Sequence, residues 1–390
     1  MHQDPTPFSD EVALDRCHDL PPAAVVTTVA PVGAQQTLYV AAFDRLYAVY
    51  ASDGTVRWCQ QVQPTQEVIQ KWSTLHGMPH HPPSAVTFGA PRVANGVVYV
   101  CVSNDGRYTC AFNAGDGALR WRTPTDARSA SIPFGDHAVP VVRNGIVYSG
   151  TYALNEQDGT VLWRIASETG WLSPQALVDG TLYAITQTGV HAINAQNGEV
   201  RWHYQPDAHT MISGPLVVAD DLLYVGTSGN VAHPHKSYCC ALDTEKGTLR
   251  WQDPLHKGYV GAVIDNERIY ISAGDGYLYA LEKHNRSLHW KYQFWTSGYY
   301  SATIAENVLY LNTDGAYALS LADGTVLWYQ RLGSNPSVYF TPSVVLDGVV
   351  YLASIRGDGR SVLYALDASD GTEYWHSPYP HQKIAPLAVA

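Results

Sequence analysis

Leu363–Trp375 reads LYALDASDGTEYW, and this stretch decides the fold because the chain keeps returning to it. Versions of it end at Trp58, Trp121, Trp163, Trp202, Trp251, Trp290, Trp328 and Trp375. Ten residues before each Trp stands an Ala: Ala48, Ala111, Ala153, Ala192, Ala241, Ala280, Ala318 and Ala365. That interval never varies, whereas successive Trp residues are 38 to 63 apart. Upstream of each Ala is an apolar, strand-like run with a Tyr: Tyr39, Tyr99, Tyr148, Tyr183, Tyr224, Tyr270, Tyr310 and Tyr351. A period of about 40 residues on β-rich runs with Gly-bearing turns signals a propeller-type array.

Working outward, every repeat takes one layout: inner strand, Tyr strand, Ala strand, a tight D/N-G turn, Trp strand. In the second repeat, GAPRVANGVVYVCVSNDGRYTCAFNAGDGALRW, hairpin-closing turns fall at Asn95-Gly96 and Asp116-Gly117. Gly stands four residues before Trp in seven repeats (Gly54, Gly117, Gly159, Gly198, Gly247, Gly324, Gly371). The sixth has Arg286, preceded by Asn285, a residue type that tolerates the left-handed conformation. A large ring at a fixed offset from a tight turn reads as a wedge between repeats.

These residues resemble the PQQ-type propeller repeat, A-x-D/N-x-x-x-G-x-x-x-W, over nearly all of 23–390. The resemblance implies an all-β, eight-bladed propeller of four-stranded antiparallel blades. It also implies that each of the eight Trp docks on the adjoining blade, forming a structural girdle. A chain of 390 residues would otherwise suggest two or three domains; stacked repeats make it one continuous array. The blades are expected at about 23–62, 86–125, 136–168, 171–206, 212–255, 259–293, 299–331 and 339–378. Residues 1–22, polar and Pro-interrupted, read as a tail. The last segment, IAPLAVA (Ile384–Ala390), copies FGAPRVA (Phe88–Ala94), and blade one has its own version at Val29–Val32. Residues 383–390 therefore read as a strand that closes the ring on blade one, which leaves no open edge; a truncated ninth repeat is the alternative.

Tyr and Trp are abundant (26 and 11) beside 7 Phe, which suits packed surfaces with wet rims. A net charge of −11 argues against nucleic acid or an anionic membrane as partner. There is no run of eighteen apolar residues to insert in a membrane, and the first twenty residues lack the basic start and apolar core of a leader. As written the chain reads as a soluble cytoplasmic monomer, extracytoplasmic if a leader precedes it. Six Cys in this length do not make a disulfide scaffold.

The variation is confined. The turn between third and fourth strands is constant, and so is that between first and second (Asn95-Gly96, Asn144-Gly145, Asp179-Gly180, Asp347-Gly348). From Tyr to Ala the interval runs from 5 to 17 residues, and from Trp to the next Tyr from 19 to 41. Both variable connections leave the same face, and elaborated loops on a rigid scaffold carry function. Trp72, Trp171 and Trp295, the three Trp outside the girdle, map there. Phe88, Tyr259, Tyr299, Tyr300, Tyr339 and Phe340 begin inner strands, near the mouth of the channel. His137 and His209 are on this face, with His76, His80, His81, His233, His235, His256 and His381. An aromatic concavity with a few polar groups is the expected ligand site; packing of the loops onto the scaffold is the competing role for any one of these rings.

No catalytic constellation emerges. Quinoprotein alcohol dehydrogenases, which share the repeat, carry an adjacent Cys pair near their cofactor. Here Cys239-Cys240 lies within the Ala strand, where successive side chains face opposite ways. Cys240 and Cys110 take the position of Tyr47, Tyr152, Tyr279, Tyr317 and Tyr364, which is a packing position. Asp136, Glu168 and Asp207 lie at the mouth without the spacing of a calcium site. His76-x-x-x-His80-His81 and His233-Pro-His235 lack a matching Cys or carboxylate and read as solvated loops, not metal sites. The sequence thus points away from an enzyme and requires no cofactor. Its main reading is a binding module for a peptide segment or small ligand, similar to the non-enzymatic outer-membrane-assembly branch of the PQQ-like propellers. A PQQ- and calcium-dependent alcohol or sugar dehydrogenase is the alternative from another class, and the sensor domain of a larger signalling protein is a third.

Overall fold

A computed structural model describes residues 24–25, 36–42, 45–61, 87–103, 107–125, 139–165, 172–186, 188–229, 236–255, 259–294, 301–332, 338–356, 360–379, 384–385 and 387–389. These residues form strands and turns without a helix, arranged as eight antiparallel sheets that follow one another in a ring. The chain is an eight-bladed β-propeller. Blade five shows the plan: Thr210–Ala219 innermost, then Leu222–Gly229, Ser237–Asp243, and Leu249–Leu255 outermost.

The fixed Ala-to-Trp spacing has a local cause. In every blade the Ala lies directly opposite its Trp, and the register slips by one residue immediately after the Ala. The slip is a β-bulge at the residue before Trp, which bends the outer strand. All eight Ala side chains are completely buried. The turn between the two strands is tied twice. Gly donates its N–H to the carbonyl four residues back (Gly54 to Tyr50, 2.9 Å), and the preceding Asp accepts from the amide two residues on (Thr55 to Asp53, 2.9 Å). Adding or removing one residue would break the turn or move Trp off its partner.

The same turn is the seat for the neighbouring blade. Its Gly adopts φ between +67° and +77°, and a Cβ there would fall within 2.7 Å of the preceding blade's indole, as for Gly117 under Trp58 and Gly371 under Trp328. Seven of the eight indoles also donate Nε1–H to a carbonyl of that turn, from Trp202 to Thr244 at 2.9 Å to Trp375 to Ala51 at 3.1 Å. In five blades the Tyr hydroxyl donates to the same carbonyl: Tyr39 to Ala114, Tyr148 to Ala195, Tyr183 to Thr244, Tyr310 to Ala368 and Tyr351 to Ala51. The apolar core follows this plan and lies between blades. Tyr39 and Leu46 of blade one pack with Val98 and Phe112 of blade two, and so on round the ring.

Two short segments meet where the ring closes. Ala388–Val389 pairs with Leu38 and Tyr39 as the innermost strand of blade one, Ile384 bridges Ala42, and the Ala385 amide donates to Ala41 at 2.8 Å. Val29–Val32, read as blade one's own version of this strand, lies outside the described residues. Ala24–Val25, expected at the start of blade one, instead adds a fifth strand to the outer edge of blade eight, opposite His376 and Trp375. Trp375, covered on both sides, is the girdle Trp with no exposed surface.

Cys59 is disulfide-bonded. Cys101, Cys110, Cys239 and Cys240 are free and buried. Cys239 packs toward blade six beside Ala262 and Ile271, while Cys240 packs toward blade four beside Tyr183 and Ile185. Burial pushes the Cys240 thiol up to about 11 and that of Cys239 higher still.

Candidate functional site

The register puts the starts of the inner strands on one rim. Phe88 lies opposite Val102, Thr210 opposite Gly229, Tyr259 opposite Ala273, and Tyr339 opposite Ile355, in each case at or near the end of the second strand. This rim is the one from which the connections of variable length depart. Phe340 is half-buried and packs in the seam between blades seven and eight with Tyr310 and Leu352. His209 is exposed at the mouth, its amide donating to Asp207, whose carboxylate also holds Lys236 of the blade-five loop at 2.9 Å. Those two donors and the Lys236 charge keep the Asp207 carboxyl below its ordinary range. Met211, next along, is half exposed at 50%. Trp72, His137, Trp171, Trp295, Tyr299 and Tyr300 lie outside the described residues, as do Asp136, Glu168, His76, His80, His81, His233, His235, His256 and His381.

The structure adds a group that the sequence did not single out. The second-to-third turns of blades six and seven place Asp275 and Asp314 on this rim, each anchoring aromatic rings. The Tyr279 hydroxyl donates to Asp275 at 2.7 Å, and the Tyr317 hydroxyl to Asp314 at 3.0 Å. Tyr277 lies tilted, 5.8 Å from Tyr279, and carries the Lys291 ammonium 5.1 Å from its centroid. Phe294 meets Tyr317 edge-on at 5.4 Å, and Tyr317 lies 4.4 Å from Tyr329, which is 42% exposed. Burial first, then the adjacent carboxylate, raises both Tyr279 and Tyr317, so these rings stay neutral hydrogen-bond donors. Phe294 and Tyr317 are buried in the seam between blades six and seven. The rings open to a ligand beside the two fixed carboxylates are therefore Tyr329 and, in part, Tyr277 and Tyr279, a pairing suited to flat apolar groups and to cationic or hydroxyl-bearing ones. The signal in the sequence is the pair of Asp-Gly turns followed by Tyr.

Blade four carries a second such group. His191 and His203 stack at 4.2 Å, with Thr186 and Thr188 hydroxyls against their ring nitrogens. Burial, and then the neighbouring imidazole, lower His191 to about 4. Among the described residues, no three His, Cys, Asp or Glu side chains come together as a metal-binding group. Nor does any helix among them have the length and apolarity to cross a membrane.

Sequence comparison matches four overlapping stretches, residues 18–151, 149–255, 210–336 and 294–390, to the family described as outer membrane protein assembly factor BamB. No curated protein matches by sequence. Among solved structures the chain is similar to BamB from Moraxella catarrhalis, with TM-score 0.58 and 15% identity over 93% of this chain and 98% of that one. The computationally designed Ika8 protein aligns with TM-score 0.60 and 12% identity, over 93% and 97%. A quinohemoprotein alcohol dehydrogenase from Comamonas testosteroni aligns with TM-score 0.59 and 15% identity, over 76% of this chain and 68% of that one. At these identities the likenesses concern the fold.

Proposed function

The chain belongs to the outer membrane protein assembly factor BamB family, and from that premise we propose that it is an interaction module whose variable rim binds an extended peptide segment or a small ligand. The observation that carries this reading is the asymmetry of the disc. One rim keeps its turns constant, while the other varies its connections from 5 to 17 and from 19 to 41 residues and bears the open rings beside Asp275 and Asp314. Trp72, Phe88, His137, Trp171, His209, Tyr259, Trp295, Tyr299, Tyr300, Tyr339 and Phe340 are the residues we assign to this surface, acting as a monomer and without a resident cofactor. Aromatic anchors with a polar surround are what binding hot spots require.

Panning a random-peptide display library against the purified protein tests the assignment. Peptides enriched on the parent should bind the Trp171→Ala/Trp295→Ala variant about tenfold or more weakly, with its thermal unfolding unchanged. Equal affinity for both proteins would remove those residues from the site. The fold likeness to a quinohemoprotein alcohol dehydrogenase keeps a PQQ- and calcium-dependent oxidation as the competing reading. We further propose an oxidising, extracytoplasmic compartment, because Cys59 is disulfide-bonded and such bonds persist where thiols are not kept reduced. Alkylation in intact cells before lysis should leave Cys59 unlabelled; a free Cys59 thiol would contradict the compartment.

A further inference from the structure

The seam between blades five and six is built differently from the other seven. At the turn position where the others have Gly, blade six has Arg286, held at φ +61°. At the seven equivalent glycines a Cβ would collide with the indole, so the Arg286 side chain requires the Trp of blade five to sit differently. Trp251 makes a 65° angle with Tyr224, against 45–49° for the Tyr–Trp pairs at the other seams. Its indole N–H finds no acceptor among the described residues, and the Tyr224 hydroxyl is buried without a partner. Charge takes the place of the missing latch. Lys283 pairs with Asp220 at 2.8 Å, Arg286 pairs with Asp253 at 3.2 Å, and the Arg286 guanidinium lies 5.1 Å from the Trp251 ring centroid. Partly exposed ion pairs are weak and are screened by salt, whereas each buried hydrogen bond shifts an equilibrium by roughly fivefold.

We propose that this seam is the ring's built-in opening point, a charge-held junction that parts before the other seven and loosens as ionic strength rises. The opening is a local event of the kind that precedes global unfolding, and it stands apart from the rim-binding reading, since it invokes none of those residues.

The buried thiols report on it directly. Cys239 packs in the five/six seam, Cys110 in the one/two seam and Cys240 in the four/five seam, while Cys101 meets Ser149 across the two/three seam. Native-state alkylation of the full chain, with each site read by mass spectrometry, therefore compares four seams in one sample. Cys239 should label about tenfold or more faster than the other three, and the ratio should rise between low and high sodium chloride. Arg286→Gly, which readmits the indole and removes the pair with Asp253, should bring Cys239 down toward the rate of its neighbours and reduce the salt effect to what Lys283–Asp220 contributes. Four equal rates, or a ratio unmoved by Arg286→Gly in a folded protein, would overturn the proposal.

Discussion

At the scale of single residues, two environments make quantitative claims. Gly247 sits at φ +67° against the Trp202 indole, whereas Gly96 has a similar φ, +71°, with open space around it. Gly96→Ala should therefore cost only the left-handed backbone term, about 1–2 kcal/mol. Gly247→Ala adds overpacking of the seam and should cost about 2–5 kcal/mol. Chemical denaturation compares the two, and equal losses would mean that the indole does not need the bare turn. His191 carries the second claim. Its folded pKa of about 4 lies below the ordinary 6.5, so the unfolded chain takes up the proton first as pH falls. Its contribution is whole above about pH 6.5 and is lost as pH falls toward 4. His191→Tyr, which installs the residue found at this position in five other blades, should flatten the stability profile across that window. A slope identical to the parent's would show that His191 titrates normally.

At the scale of the element, the ring depends on strands borrowed across its closure. Removing residues 384–390 leaves the Thr37–Ala42 strand without its inner partner and takes Ile384 and Leu387 out of the core they share with Tyr351 and Trp375. The loss should be about 3–6 kcal/mol, from two buried aliphatic side chains and the uncovered edge, and thermal unfolding would register it. An unchanged midpoint would show that Ala388–Val389 does not hold the ring shut. The blade plan was readable from the sequence because a bulge and a tight turn fix the Ala-to-Trp interval locally. Placing Ala24–Val25 on blade eight was not, since two residues of strand leave no period to read. Arg286 was visible as a break in the pattern. Its effect on Trp251 and Tyr224 needed the neighbouring blade in place.

At the scale of the whole molecule, one disc face is occupied in holding blades together and the opposite rim is free to vary. Repetition makes the scaffold legible and hides the site. Tyr279 and Tyr317 occupy the position of Tyr47, Tyr152 and Tyr364 and so read as packing, which Tyr317 also does in the folded chain, and only the Asp275 and Asp314 carboxylates beside them mark this part of the rim as distinct. Trp171 and Trp295 stand out because they break the period. The proposed rim binding and the competing PQQ-dependent oxidation make opposite demands on one ligand. Titrating the purified protein with PQQ, with and without calcium, while following tryptophan fluorescence, separates the two. A cofactor-free binding module should give no saturable change under either condition, whereas saturable one-to-one quenching that depends on calcium would overturn that reading in favour of the quinone enzyme.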